Sequence, residues 1–142
     1  MTTLHELTAA RGFDVGEHLE AALEIPVHAG IQFQGDVAII PLEEVDATVS
    51  WQPSSLRPVG PAGVEVIEGG NGAHAHLLVA DPGAAKWTAD VTDSEGLAIG
   101  VLDAFTPVHL LHAEHGGTGI APGRYLLRRQ REQADEQRLV AD

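Results

Sequence analysis

The chain has 142 residues, no cysteine, and a formal net charge of −13 from 8 basic and 21 acidic residues. That length suits one domain with its own core, and the missing thiols exclude disulfides, thiolate zinc sites and cysteine nucleophiles. So acidic a surface repels phosphate backbones and argues against nucleic acid as a partner, and no apolar run nears the roughly 20 residues of a membrane span.

The first residues, MTTLHELTAARG, lack the basic start and apolar run of a signal peptide. The expected location is the cytoplasm, or the inside of a virion or other assembly. Thr3 with Glu6 fits a capping box, and Leu4, Leu7 and Thr8 follow at helical spacing to Gly12. Asp14 and Glu17 repeat the cap. Val15, Leu19, Ala22 and Leu23 then share one face of a second predicted helix, closed by Pro26. Residues 1–25 thus read as a helical arm. Each helix is too short to be stable alone, so the arm must cover a surface, either its own domain or a neighbouring subunit.

After Pro26 the period changes. VHAGIQF, VAIIPL and ATVSW are short and rich in β-branched or aromatic residues, with a turn at Gly35–Asp36. Residues 52–63, QPSSLRPVGPAG, hold three prolines and two glycines and read as a long loop. VEVIE, AHAHLLVA, KWTADV, LAIGVLD, VHLLHAE and RYLLRRQ read as further strands, divided by GGNG, DPGA, DSEG and HGGTGIAPG. Strands at this spacing, with glycine-rich turns between them, predict a mainly β domain over 26–131: a jelly-roll-like sandwich or a small barrel. Residues 132–142 read as a polar C-terminal tail. Five of the eight basic residues fall between Arg124 and Arg138, interleaved with Glu132, Asp135 and Glu136, as in a solvated mixed-charge face.

Five of the eight histidines sit in two segments, GAHAHLLVAD and HLLHAEHGG. Alternation on a strand puts His74 and His76 on one face, about 6.6 Å apart from the rise per residue. In the second segment His112 and Glu114 share a face, His109 lies opposite, and His115 abuts two glycines where the chain can turn. Imidazoles with a carboxylate suit Zn, Mn, Fe or Ni, so His74, His76, His112, Glu114 and His115 are the candidate metal ligands. The alternative is that these are polar side chains at strand ends, hydrogen-bonded or solvated. No serine sits in a nucleophile elbow. GGNG leads into a strand and not a helix, so it is no phosphate loop. Glu43 and Glu44, or Asp81 with His76, could do acid–base work, but nothing sets them apart from surface charge.

His74-Ala75-His76 partly resembles the first motif of the cupins, metal-binding jelly rolls, with Asp81 where their glutamate stands. The second cupin motif finds only APGRY, with no histidine after it. A longer resemblance runs from Gln34 to Asp142. QGDVAIIPL, GAHAH and LLHAEHGGTGIAPGRYLLRRQRE look like a group of small uncharacterised bacterial and phage proteins with GDV, GHAH, HxEHG, PxGxY and RQRE segments. His74, His76, His112, Glu114, His115, Pro122, Gly123, Tyr125 and Gln130 to Glu132 fall on that pattern. The departures are an inserted alanine in GAHAH and Gln133 where an aromatic often stands. The resemblance implies the site residues and no reaction. Tyr125 and Arg128 or Arg129 are expected to support the site or pack beside it. Its phage setting adds a second reading, a non-enzymatic subunit of a particle or other assembly, docking on copies or neighbours through the N-terminal helices.

Overall fold

The computed structural model describes residues 2–11, 24–67 and 74–130. One helix, α1 (Leu4–Arg11), opens the chain. Thr3 supplies its half of the predicted capping box: Thr3 Oγ1 accepts the Glu6 N–H at 3.1 Å. Leu4, Leu7 and Thr8 are buried, and the two leucines pack on Ile25, Val79 and Leu111. Most of the second predicted helix, the GGNG turn and the tail 132–142 lie outside the described residues. The helical arm does not run to residue 25 as expected. Glu24 bridges Thr3, and Ile25 N–H donates to Thr2 O at 2.9 Å. These residues are extended and bring Ile25 under the helix.

Thirteen strands follow among the described residues. They are β1 (Val27–His28), β2 (Gln32–Gln34), β3 (Val37–Pro41), β4 (Val49–Trp51), β5 (Arg57–Pro58), β6 (Val64–Ile67) and β7 (His76–Val79), then β8 (Ala85–Thr88), β9 (Val91–Asp93), β10 (Ala98–Ala104), β11 (Val108–His112), β12 (Gly116–Ile120) and β13 (Gly123–Arg129). One sheet has the order β1-β12-β11-β7-β6, a second β2-β3-β13-β10-β8-β5, and β4 pairs β9 alone. Both larger sheets end in edge strands, so neither closes on itself as the small-barrel alternative requires. They share one core. Val37, Ile39, Trp87, Leu102, Tyr125 and Leu127 come from the six-stranded sheet, and Leu78, Val108, Leu110 and Ile120 from the five-stranded one. These strands carry continuous apolar runs, such as Val37 to Ile40 and Tyr125 to Leu127, and the core takes the face turned toward it from water.

Three expectations change. HGGTGIAPG is not simply a divider, because Gly116–Ile120 forms β12 between β11 and β1. Its glycines are there for closeness. A Cβ at Gly119 would lie 2.3 Å from Pro26 O, and one at Gly117 2.6 Å from Ile25 Cδ1. The loop 52–63 contains the two-residue β5, which pairs β8. KWTADV splits, its first part joining the six-stranded sheet as β8 and its last joining β4 as β9.

Candidate functional site

The β7–β11 register pairs His109 with Val79, Leu110 with Leu78 and Leu111 with Leu77. One step further on the same register, His112 falls opposite His76, at the end of the five-stranded sheet. Their rings lie 4.3 Å apart between centroids, and His112 and His115 lie 4.6 Å apart. His74 meets His112 edge-on at 5.9 Å, and its Nε2 is 3.6 Å from Glu114 Oε1. All five predicted residues therefore line one pocket of about 300 Å³, together with Asp36 and Ile67. His76 and His112 are buried; His74, Glu114 and His115 are exposed.

Asp36 and Gln34 are the residues that sequence reasoning missed. They come from the β2–β3 hairpin of the opposite sheet, whose turn leans over the end of β7. Asp36 Oδ1 is 3.1 Å from His76 Nε2, and Gln34 Oε1 is 2.9 Å from His76 Nδ1. The turn is tight because Gly35 takes φ +57°, and it is close because a Cβ there would lie 2.9 Å from the His115 ring. Gln130, just after β13, holds it from behind: its Nε2 donates to Gly35 O at 2.6 Å and its N–H to Asp36 O at 3.1 Å. The QGD segment signalled a turn. Only pairing of the two sheets brings its carboxylate to a histidine.

Asp81, aligned with the cupin glutamate, lies beyond the far end of β7. It lines a different cavity with Thr2, Glu6, Leu7 and His109. Tyr125 is a core residue whose hydroxyl donates to Ala121 O at 2.8 Å. Arg128 faces Glu95 at 3.9 Å and lines a cavity with Phe33 and Leu97. Neither of these two reaches the histidine pocket. Among the described residues, no three His, Asp or Glu side chains are already gathered as a metal ion would gather them.

A family model described as a domain of unknown function, DUF8820, matches residues 33–130. The chain belongs to the DUF8820 family. No curated protein and no solved structure matches it. The DUF8820 span holds β3 to β13 and every residue of the histidine pocket; α1 and β1 precede it.

Within this DUF8820 domain the two buried imidazoles are wired in opposite senses. Gln34 Oε1 can only accept, so His76 carries a proton on Nδ1. His112 Nδ1 accepts the backbone N–H groups of Glu114 at 3.1 Å and His115 at 3.2 Å, so its proton is on Nε2. Burial, with His76 and His115 nearby, pushes the His112 pKa down to about 4. Burial also lowers that of His76, against the opposing pull of Asp36. His112 is therefore neutral at pH 7, and burial disfavours the charged form of His76 as well.

Proposed function

We propose that this chain is a two-sheet β-sandwich that binds one divalent transition-metal ion, Zn, Mn, Fe or Ni, in the histidine pocket. His76 Nε2 and Asp36 are the donors already in place. His115, His74 and Glu114, all exposed, turn inward to complete the shell, since exposed side chains change rotamer freely. The observation that carries this reading is a shortage of protons. A neutral His76 has one N–H, and Gln34 takes it. In that neutral ring Nε2 has no proton to give the Asp36 carboxylate 3.1 Å away. A second proton on Nε2, hydrogen-bonded to Asp36, or a metal ion between the two removes the conflict. An ion about 2.1 Å from each donor spans about 3.0 Å at a right angle and about 3.4 Å at the tetrahedral angle, which brackets the observed separation.

The set of two or three imidazoles with carboxylates and no thiolate suits borderline metals. An open position would permit hydrolytic or oxygen chemistry, but no side chain stands out as its general base. The test is metal analysis of tag-free protein after dialysis against Zn, Mn, Fe(II) or Ni salts. The expected result is about one retained ion per chain with one of these metals, largely lost in Asp36→Ala. No retained metal and no thermal shift with any of the four would overturn the reading.

A further inference from the structure

Gln34 is 2% exposed, yet its amide makes polar contacts on every side. Its Nε2 lies 2.7 Å from Leu110 O, 3.3 Å from Gly116 O and 3.1 Å from Thr118 Oγ1. Two of these are carbonyl oxygens, which can only accept. Turning the amide over would set its own oxygen against both carbonyls, a buried polar conflict. The backbone of β11 and β12 therefore fixes which end of Gln34 faces His76, and that end is the acceptor.

The choice passes to the imidazole. With Oε1 held 2.9 Å from Nδ1, His76 keeps a proton on Nδ1, and Nε2 is the nitrogen left to face Asp36 or a metal. His112 is set the other way by the turn after β11. A metal on its Nε2 would require a proton on Nδ1, where two backbone N–H groups already point. Strand spacing nominates both rings equally as ligands; the hydrogen bonds around them do not.

We infer that Gln34 is a positioning residue that selects His76, and not His112, as the buried ligating imidazole of the pocket. The inference rests on the metal reading above only for the word ligating; the tautomers hold with no metal present. Gln34 also joins the six-stranded sheet, where it ends β2, to the five-stranded sheet that carries His76. Loss of its amide would thus loosen the placement of the pocket as well as the tautomer.

The tautomers are read directly by long-range ¹H–¹⁵N correlation on metal-free, histidine-labelled wild type at pH 8, followed by addition of zinc. His76 should show the Nδ1–H pattern and His112 the Nε2–H pattern, and zinc should move the His76 Nε2 resonance while leaving His112 in its tautomer. A His76 proton on Nε2, or a His112 ring that switches its proton to Nδ1 and binds the metal, overturns the inference. Correct tautomers with no response to zinc support the role of Gln34 in orienting His76 and overturn the metal reading instead. In Gln34→Met the His76 signals should collapse to a mixture of tautomers and zinc affinity should fall about 10–100-fold, the usual cost of losing a residue that orients a ligand. Thr118→Val removes one of the anchors but leaves Oε1 in place. It should keep the Nδ1–H pattern and lose less affinity, and an equal loss in both variants would count against the orienting role.

Discussion

Acidifying the metal-free protein from pH 7.5 to pH 4 measures how firmly His112 is held neutral. The ring is buried, and its Nδ1 is occupied by two backbone N–H donors, so an added proton would have to displace them. Burial first, then His76 and His115, lowers its pKa from 6.5 to about 4. The unfolded chain takes up this proton near pH 6.5 and the folded chain only near pH 4. Between those values the unfolded state binds more protons, so stability falls as pH falls through the window. The contribution is complete above 6.5 and gone near 4. The separation corresponds to about 3 kcal/mol. Carboxylates titrate over the same range, so the comparison is with His112→Asn, whose side-chain oxygen can stand where Nδ1 accepts but carries no titrating proton. Urea unfolding at both pH values gives the two stabilities. At pH 7.5 the variant should be weaker by about 1–3 kcal/mol, because the missing ring leaves a gap beside His76 and His115. By pH 4 that deficit should shrink by about 3 kcal/mol, to zero or past it. A deficit unchanged between the two pH values would mean that the fold does not hold His112 neutral.

Leu7→Ala should cost about 2–3 kcal/mol in urea unfolding, since Leu7 packs under α1 against Val79 and Leu111; a cost below 0.5 kcal/mol, within the range of an ordinary surface change, would mean that the helix does not cover this sheet. Gly119→Ala should push β1 off β12, because the new Cβ would lie 2.3 Å from Pro26 O; hydrogen exchange should show lost protection at Ala121, whose N–H donates to His28 O. Gly35→Ala should cost about 1–2 kcal/mol for the left-handed backbone alone. It should also displace His115, which it would meet at 2.9 Å, and weaken metal binding; unchanged stability would show that the turn relaxes.

Strands β3, β10, β11 and β13 were legible because short runs rich in large apolar residues, bounded by turn signals, are a local property. β12 was not, since GGTGI has one large apolar residue and its glycines answer to Ile25 and Pro26, more than 80 residues away in sequence. The histidine cluster was half legible. Spacing brought His74 and His76 together, and His112 near Glu114 and His115, but the step that sets His112 opposite His76 is a register, which no single segment encodes. Gln34 and Asp36 were hidden for a stronger reason. Hydrophobicity alone would turn Phe33 inward and its neighbours out, whereas Phe33 is 62% exposed and Gln34 is buried. The polar contacts that Gln34 makes across the two sheets compensate for that inversion, and they exist only in the folded protein. Asp81, which the cupin comparison set near His76, lines a different cavity, and the carboxylate beside His76 is Asp36 of the opposite sheet.

Anomalous diffraction from crystals grown with zinc shows whether a metal is held between His76 and Asp36. One strong peak is expected about 2.0–2.2 Å from both His76 Nε2 and Asp36 Oδ1, with His115, His74 or Glu114 drawn in to complete the shell and His112 outside it. A peak on His112 Nε2, or a pocket that stays free of zinc while zinc binds elsewhere on the surface, would contradict it.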